Sequence, residues 1–539
     1  MIKSGRCYRH SIYRERTDLL NTKTTHKPLE STKLIQLKTI LKSVLVGCLA
    51  GVIITLYRLA LTEAESAATS FYDYIRSHLF LLPLTIITLA VAGYFIGALK
   101  DKYKMIGGSG IPQVKGLIMG YFKQSWLGTF LAKFIGGVIC VTAGLSLGRE
   151  GPSIQLGACV AQGVSHKVSQ SPTERKILIA SGASAGLAAA FNAPLAGTMF
   201  VLEEIFKYYS PIILLSTMMS AIMADFISKS IFGLNPVFDF QITERFSLRE
   251  YWILIIIGIV VGLFGVFYNY FLKKIQVFYS KITFLKGRAK PILPFLMAGV
   301  LGLVFPIVLG GGHSIVGELS PDSAVTYLFL VLGVKFLFSM FSFGSGAPGG
   351  IFFPLLVMGA TVGAILGNLS ISYLGIDAGL FQNFMVLSMV GFFTAIVRAP
   401  ITGIILLLEM TGSFSNLLSM SVVAITAYIV AELLKCLPIY DYLLENLLNE
   451  GSVDKIGEDD NDRVLIQTIV HHGAYGENKS IKEIRLPKGC LLVGIKRGET
   501  DLIPNGDTII HANDTLMLLV HAYTEGEIRQ RVEEMMQYT

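Results

Sequence analysis

The chain has 539 residues, of which 52% are hydrophobic and only 15% are charged, and its net charge is +7. A soluble domain has about 25% charged residues, so this composition excludes an ordinary cytosolic enzyme and a disordered chain. The six cysteines include no CxxC pair. We therefore expect neither a disulfide framework nor a metal site.

The charged residues divide the chain into zones. Residues 1–33 hold eight basic and three acidic side chains, and residues 451–539 hold ten basic and fifteen acidic ones. The 417 residues between them hold only 47 charges. Positive charge is therefore densest in a short N-terminal arm, and we expect no nucleic-acid partner. The distribution predicts a basic arm, a membrane body, an acidic linker and a soluble domain at residues 1–36, 37–449, 450–463 and 464–539.

The membrane body contains several uncharged stretches long enough to cross ~30 Å of hydrocarbon as a helix. They are residues 79–99, 177–202, 336–376, 378–397 and 411–431, with further apolar windows at 43–57, 252–272 and 291–317. No cleavable signal pattern is visible, because the first apolar segment begins only near residue 43. The basic arm predicts a cytoplasmic N-terminus, although a solvated tail without a partner explains it equally well.

Three clusters in this body place a glycine-rich turn just before a proline. They are Gly108-Ser109-Gly110-Ile111-Pro112, Gly148-Arg149-Glu150-Gly151-Pro152 and Gly349-Gly350-Ile351-Phe352-Phe353-Pro354. Proline suits the first turn of a helix, and the free N–H groups of a helix start favour an anion. Inside a membrane, broken helices are tolerated where they line a cavity. Three such clusters predict an anion site near the midplane, whereas one alone would indicate only a kink or close packing.

An internal repeat relates the two halves of the body. Ala193-Pro194-Leu195-Ala196-Gly197 returns as Ala399-Pro400-Ile401-Thr402-Gly403, an offset of 206 that also relates Glu203 to Glu409. Gly148 and Pro152 align with Gly350 and Pro354 at an offset of 202. The body therefore comprises two related halves, roughly residues 37–207 and 250–437, as in many transporters.

The repeat also identifies two acids that have no acidic counterpart in the other half. Glu150 aligns with Phe352, so a carboxylate stands in one half where the other has an aromatic ring. An acid inside a membrane is costly and is a functional candidate, and this one can occupy an anion site until it is protonated. Glu204 aligns with Met410 and is an extra acid. From the residues alone, Glu204 is equally well explained as an interfacial charge paired with Lys207.

These motifs resemble those of the CLC family of chloride channels and chloride/proton antiporters. GSGIP, GREGP and GxFxP occur in family order at residues 108–112, 148–152 and 350–354. The resemblance implies an all-α membrane fold of two inverted repeats of broken helices, with a small α+β cytoplasmic domain added at the C-terminus. It also implies a homodimer in the cell membrane, with a separate pore in each subunit and both termini cytoplasmic.

The resemblance assigns roles by motif position. Ser109, the backbone amides of Ile351 and Phe352, and the phenol of Tyr440 resemble the groups that bind chloride. Tyr442 is the rival of Tyr440, although the Pro-x-Tyr spacing of Pro438-Ile439-Tyr440 favours Tyr440. Glu150 resembles the gating glutamate that relays protons, and Glu204 the internal proton acceptor that antiporters typically have. Lys133 corresponds to the basic residue that lies upstream of GREGP in the family, and we interpret it as structural.

The C-terminal zone predicts strands at residues 464–470, 490–496 and 515–521, and capping boxes predict helix starts at Ser480 and Thr524. The run from Gly494 to Pro504, the segment 503–510 and Asp514-Thr515-Leu516 resemble the TrkA-C (RCK_C) domain of potassium transport regulators. Some of these domains bind cyclic di-AMP between two subunits. The resemblance therefore implies a nucleotide sensor, and a passive dimerisation domain is an equally good interpretation.

Chloride/proton exchange is the function that these residues favour, with chloride as the substrate ion. A passive chloride channel is the alternative, and Glu204 favours the antiporter. Gly182-Ala183-Ser184-Ala185-Gly186 satisfies the G-x-S-x-G pattern of hydrolases but lacks its strand–turn–helix context, so we interpret Ser184 as a packing residue. A receptor that senses a nucleotide and moves no ions is a third class. We expect no enzymatic activity and no catalytic cofactor.

Overall fold

The computed structural model describes residues 26–238, 240, 244–282, 287–449, 463–498, 500–521 and 525–536. Most of the predicted basic arm, residues 1–25, and almost all of the predicted acidic linker, residues 450–462, lie outside the described residues. Over the described part, residues 26–449 form an α-helical body and residues 463–536 a small domain with a four-stranded sheet.

The helices of the two halves follow one another in matching order. The first half contains α1 (His26–Ser77), α2 (Leu82–Lys102), α3 (Ile111–Met119), α4 (Trp126–Thr142), α5 (Glu150–Val168), α6 (Pro172–Phe191), α7 (Pro194–Phe200), a π-helical turn (Val201–Phe206) and α8 (Pro211–Phe232). The second half contains α9 (Tyr251–Lys281), α10 (Ile292–Val304), α11 (His313–Glu318), α12 (Val325–Gly344), α13 (Phe352–Leu374), α14 (Phe381–Val397), α15 (Pro400–Thr411) and α16 (Leu417–Leu433), and α17 (Ile439–Asn449) ends the body.

Within the described residues, nine helices are long and apolar enough to cross a membrane. The two whose apolar windows are most enclosed are α13 and α14, at 89% and 94% buried, so they form the centre of the body. Their glycines let backbones meet: a methyl group at Gly363 of α13 would lie 2.4 Å from the carbonyl oxygen of Phe384 in α14. The multi-pass membrane body expected from the sequence is therefore present.

The two halves exchange equivalent contacts. Glu203 accepts hydrogen bonds from the first free N–H groups of α15, at 3.1 and 2.7 Å, and Glu409 accepts them from the first N–H groups of α7, at 3.1 and 2.8 Å. A carboxylate at a helix N-terminus satisfies these orphan donors and the helix dipole. Because each glutamate caps the helix of the other half, a twofold rotation relates the halves locally.

A second pair of contacts repeats at the other offset. The ammonium of Lys133 donates to the carbonyl oxygens of Ile106 and Gly108, and that of Lys335 donates to the two carbonyls 202 residues further on. Both ammonium groups are buried, and both hold the loop that precedes a helix start. Lys133 therefore has the structural contacts that its place in the motif suggested.

All three glycine–proline clusters begin helices, as predicted. Helices α3, α5 and α13 start at Ile111, Glu150 and Phe352, immediately after the turns. Gly108 and Gly110 have φ values of 64° and 95°, which favour glycine because a side chain there is strained. Each cluster thus places the N-terminus of a helix inside the body, an arrangement that favours an anion.

The C-terminal domain is an antiparallel sheet covered by one helix. Its strands are β1 (Arg463–Ile469), β2 (Cys490–Arg497), β3 (Thr500–Leu502) and β4 (Thr515–His521), in the spatial order β1-β4-β2-β3, and its helix is α18 (Glu525–Met536). Inward residues of the strands pack against Ile528 and Val532 of α18 to form a separate core. The three predicted strands are confirmed, as is a small α+β domain.

The helix predicted at Ser480 is wrong. Its capping contact does form, because the backbone N–H of Ser480 donates to Glu483 at 2.8 Å, but a series of turns follows. The N–H groups of Ile481 and Lys482 donate instead to carbonyls of the segment 505–510. Pro487 also disfavours the helical backbone conformation of Leu486, the residue directly before it. Thr524, the other predicted cap, lies outside the described residues, and α18 begins at Glu525.

Candidate anion and proton site

The three glycine–proline clusters meet at the centre of the body. Gly148 and Gly350 exchange backbone hydrogen bonds at 2.6 and 2.8 Å, which joins the starts of α5 and α13. A Cβ on Gly151 would lie 2.6 Å from the carbonyl oxygen of Ser109, so the loop before α3 packs directly on the start of α5. Glycine is needed at these positions because backbones approach each other this closely.

The carboxylate of Glu150 lies at the N-terminus of α13. A Cβ on Gly148 would be 2.3 Å from its Oε2 and 3.1 Å from the backbone nitrogen of Phe353, so these two atoms flank one small space. The N–H of Phe353 attracts the carboxylate, but neither carboxylate oxygen has a well-aligned hydrogen-bond donor within the described residues. Glu150 is completely buried, and Arg149 Nε is 4.0 Å from its Oε1. A negative group thus occupies a helix start suited to an anion.

Ser109 lines a cavity with a volume of about 700 Å³. Three basic side chains and one acidic side chain also line it, those of Lys100, Lys104, Lys290 and Asp101. Ser109 Oγ accepts a hydrogen bond from the N–H of Ile111 at 3.1 Å, which orients the hydroxyl and leaves its proton free to be donated. The charges that line the cavity therefore sum to a positive value, and the Ser109 hydroxyl lies in the same wall.

The two candidate tyrosines occupy different places. Tyr440 is completely buried, packs edge-on against Phe200 at 6.3 Å, and has no hydrogen-bond partner for its hydroxyl within the described residues. Its phenol interacts electrostatically with both Glu150 and Glu204. Tyr442 instead lines the cavity, where the ammonium of Lys273 lies 4.6 Å above its ring. Tyr440, rather than Tyr442, is therefore the tyrosine with a buried hydroxyl that lacks a partner within the described residues and that interacts electrostatically with both acids.

Glu204 lies in the π-helical turn that follows α7 and is 2% exposed. Single-turn π-helices are common at functional sites. Its Oε1 accepts a hydrogen bond from Lys115 Nζ at 2.8 Å, and the same ammonium donates to Asp441 at 2.5 Å. Lys207 pairs with Asp441 at 2.7 Å. The alternative in which Glu204 is an interfacial charge paired with Lys207 is therefore wrong, because Glu204 is buried and its salt bridge is with Lys115.

Comparison with known proteins agrees with this geometry. The profile of the voltage gated chloride channel family matches residues 88–432, and that of the TrkA-C domain matches residues 465–529. The H(+)/Cl(-) exchange transporter ClcA of Vibrio parahaemolyticus is 34% identical over 440 residues, which cover 78% of this chain and 91% of that protein. This chain belongs to the CLC family.

Other CLC proteins are similar over the same part of the chain. ClcA of Klebsiella pneumoniae, also an H(+)/Cl(-) exchange transporter, is 30% identical over 434 residues, covering 78% of this chain and 91% of its own. A solved structure of a slow cyanobacterial Cl-/H+ antiporter matches with a TM-score of 0.70 and 29% identity, over 77% of this chain and 98% of that one. A CLC-type fluoride/proton antiporter, at 23% identity and a TM-score of 0.62, shares the fold. The predicted CLC fold is confirmed, and the tail is a TrkA-C domain.

Ser184 lies in the middle of α6, among glycines that touch α5. A Cβ on Gly157 of α5 would be 2.1 Å from the carbonyl oxygen of Gly182, and one on Gly186 would be 2.2 Å from that of Ser153. A nucleophile elbow requires a sharp turn between a strand and a helix, whereas Ser184 is in a continuous buried helix. The hydrolase pattern in this CLC protein therefore reflects close helix packing.

Two charged residues of the site, Lys115 and Asp441, were missed by the sequence analysis. Lys115 is a lone cation in the short helix that follows GSGIP, and Asp441 directly follows Tyr440. A single charge within an apolar helix next to a CLC anion motif was the signal that could have identified Lys115. Nothing in the sequence placed it beside Glu204, which is 89 residues away.

Proposed function

We propose that this protein exchanges chloride for protons across the cell membrane as a secondary-active antiporter. The observation that carries this proposal is the carboxylate of Glu150 at the N-terminus of α13, beside the backbone of Phe353. A carboxylate at that helix start competes with an anion for the same N–H groups, and protonation releases it. Each cycle can therefore couple the movement of chloride to the movement of a proton.

The remaining residues have complementary roles in this proposal. The hydroxyls of Ser109 and Tyr440 and the backbone amides of Ile351 and Phe352 hold chloride. The Ser109 hydroxyl is available because its oxygen already accepts from Ile111, and the buried Tyr440 hydroxyl has no partner within the described chain. A buried hydroxyl without a partner is costly, so a bound anion would satisfy it.

Glu204 is the internal proton acceptor in this proposal. It is buried, and it and Glu150 both act electrostatically on Tyr440. Glu204 does not line the cavity that contains Ser109, so we propose that a proton reaches Glu150 by a route separate from that cavity. ClcA proteins with 34% and 30% identity to this chain are H(+)/Cl(-) exchange transporters, which supports the same activity here.

The antiport proposal is tested with purified protein in liposomes that contain a chloride gradient and a pH-sensitive dye. The wild type should drive protons uphill, and Glu204→Gln should abolish proton movement while chloride still passes. Glu318→Gln, a neutralisation elsewhere in the body, is the control and should behave as the wild type. Chloride flux without any proton movement in the wild type would instead establish a passive channel, and full proton pumping by Glu204→Gln would remove Glu204 from the mechanism.

We further propose a homodimer with one pore in each subunit and with both termini in the cytoplasm. One chain holds all three anion clusters in contact with one another, so it needs no partner to complete the site. Native mass spectrometry should give twice the chain mass of 58.8 kDa. A measured mass equal to that of one chain would contradict the dimer, and protease cleavage of the tail from outside intact cells would contradict the topology.

The TrkA-C domain is the proposed regulatory part, with a small nucleotide such as cyclic di-AMP as its ligand. It touches the body near the proton site, because the guanidinium of Arg529 lies 5.8 Å above the ring of Tyr208 and Glu533 interacts electrostatically with Lys207. A ligand that favours one arrangement of this contact can bias transport by its differential affinity for the two states. Coupling of about 1–3 kcal/mol would change flux roughly 5–150-fold.

This regulation is tested by adding cyclic di-AMP to liposomes that contain the full chain or a chain truncated after residue 450. Flux of the full chain should change and that of the truncated chain should not. Calorimetry of the full chain measures binding directly. Absence of binding would leave the tail as a dimerisation domain, and binding without an effect on flux would separate the ligand site from transport.

A further inference from the structure

Four charged side chains form a line from the surface of the body to Glu204. Their charges alternate in the order Lys207, Asp441, Lys115 and Glu204, with side chains that are 49%, 26%, 1% and 3% exposed. The three salt bridges along this line measure 2.7, 2.5 and 2.8 Å. The line therefore connects the buried acid to solvent through direct contacts.

The architecture of the fold does not require the inner pair. At the repeat offsets, Lys115 corresponds to Gly317 and Glu204 to Met410, so the second half has an uncharged residue at both places. By contrast, the capping glutamates Glu203 and Glu409 and the loop-holding lysines occur in both halves. A buried ion pair costs desolvation energy that a hydrophobic pair would avoid. A charged pair present in only one half therefore points to the reaction rather than to the fold.

Asp441 holds Lys115 in place and connects it to the anion site. It follows Tyr440 directly in α17, so the carboxylate that binds the ammonium and the phenol that interacts electrostatically with the two acids are attached to the same turn of helix. A movement of α17 that displaces Tyr440 also displaces Asp441. Such a movement alters the salt bridge on Lys115 and thereby the charge felt by Glu204.

We propose, building on the antiport function above, that Lys115 and Asp441 are positioning residues that set the pH at which Glu204 accepts its proton. Lys115 favours the ionised form of Glu204 through their direct salt bridge. Asp441 opposes this effect, because its negative charge partly neutralises the positive charge of the Lys115 ammonium. The principal groups that act on Glu204 are Lys115 from α3, Asp441 from α17 and Lys207 at the end of its own turn, and Tyr440 also interacts with it.

The two positioning residues should have opposite effects when they are neutralised. An opposite charge at hydrogen-bond distance typically shifts the protonation of a carboxylate by about 1–3 pH units. Lys115→Met should therefore move the pH profile of proton transport by at least about one unit toward alkaline pH. Asp441→Asn should move it toward acidic pH, because Lys115 then acts on Glu204 with a less compensated charge.

The experiment measures proton and chloride flux of the reconstituted full chain over a series of pH values. Lys115→Arg keeps the charge and should restore the wild-type profile. Lys274→Met, which removes an exposed lysine outside this line, is the matched control and should leave the profile unchanged. Chloride flux measured in the same liposomes reports that each variant is folded. Asp441→Asn, at a partly exposed position, tests the proposal independently if Lys115→Met does not fold.

Shifts of opposite sign in Lys115→Met and Asp441→Asn, with rescue by Lys115→Arg, would establish the roles. Unchanged profiles, shifts of the same sign, or an arginine variant as impaired as the methionine variant would overturn the proposal. Failure of the antiport proposal itself would give different results. The wild type would then move no protons, or Glu204→Gln would continue to move them, whatever the behaviour of the Lys115 and Asp441 variants.

Discussion

Glu150 and Glu204 are both buried acids that interact electrostatically with Tyr440, but their partners differ. Glu204 is bound by the ammonium of Lys115 at 2.8 Å, whereas the cation next to Glu150, Arg149, is 4.0 Å away and the nearest backbone N–H is not aligned with it. Glu204 is thus held in a salt bridge, while Glu150 lies at a helix start that an anion can also use. This difference supports the proposed roles, in which Glu204 is a stationary proton acceptor and Glu150 is a movable gate.

The first prediction concerns the proposed gate. Glu150→Gln should abolish proton transport and leave chloride flux, because an amide neither carries a proton nor competes as an anion. Proton movement is measured with a pH-sensitive dye and chloride with an ion-selective electrode in the same liposomes. Glu63→Gln, at an exposed position of α1, should remain coupled as the wild type is. Proton transport that survives in Glu150→Gln would exclude Glu150 as the relay.

The second prediction concerns anion selectivity. Ser109→Pro should favour nitrate over chloride, because proline removes the hydroxyl and the backbone N–H, and the compact chloride ion depends more on such donors than nitrate, whose charge is delocalised. A change of ~1.4 kcal/mol in relative affinity corresponds to a tenfold change in the nitrate/chloride ratio. Ser109→Thr keeps the hydroxyl and should keep the preference for chloride. Competition between the two anions in flux assays gives the ratio, and an unaltered ratio in the proline variant would place Ser109 outside the site.

The third prediction concerns the exchanged helix caps. Glu203→Gln and Glu409→Gln should each lower the free energy of unfolding by about 1 kcal/mol, because each substitution weakens the cap of a helix in the other half. Thermal unfolding of the detergent-solubilised protein measures the two losses, which should be similar. Glu63→Gln is the control, because its carboxylate is exposed on α1. Losses confined to one of the two glutamates would show that the two contacts are not equivalent.

The fourth prediction concerns the pH dependence of the C-terminal domain. Burial raises the pKa of Asp514, but two hydrogen bonds from Arg497, at 2.9 and 2.7 Å, and one from the N–H of His511 outweigh this effect. The folded pKa therefore lies below the ordinary value of 3.8. A carboxylate with a depressed pKa stabilises the fold above its unfolded pKa, and this contribution is lost as the pH falls through the folded pKa.

Unfolding of the C-terminal domain should therefore become easier below about pH 4, as measured by thermal unfolding monitored by circular dichroism at several pH values. Asp514→Asn should unfold more easily at neutral pH and lose part of this acid sensitivity. Asp507→Asn is the control, because its salt bridge with Lys482 is exposed. An acid profile identical in the wild type and Asp514→Asn would contradict the assigned contribution.

Local features of the sequence were sufficient for much of the fold. A helix start depends on the conformations of a few neighbouring residues, so glycine turns followed by proline predicted the beginnings of α3, α5 and α13. The strands of the tail were predicted for the same reason, because alternation of side chains is a property of the strand itself. At Ser480 the same local reasoning failed, since a distant segment uses the N–H groups that a helix would need.

The sequence by itself determined the two-half organisation, the three anion motifs and the acid Glu150. Each anion motif is a short run of neighbouring residues, and the two halves are recognised because short motifs recur 202 and 206 residues apart. Tertiary structure decided which charges meet. Lys115 lies 89 residues before Glu204 and 326 before Asp441, and helices of both halves must pack before its ammonium can bind both carboxylates. Burial strengthens these contacts by excluding water, and burial is a property of the assembled body rather than of any one segment.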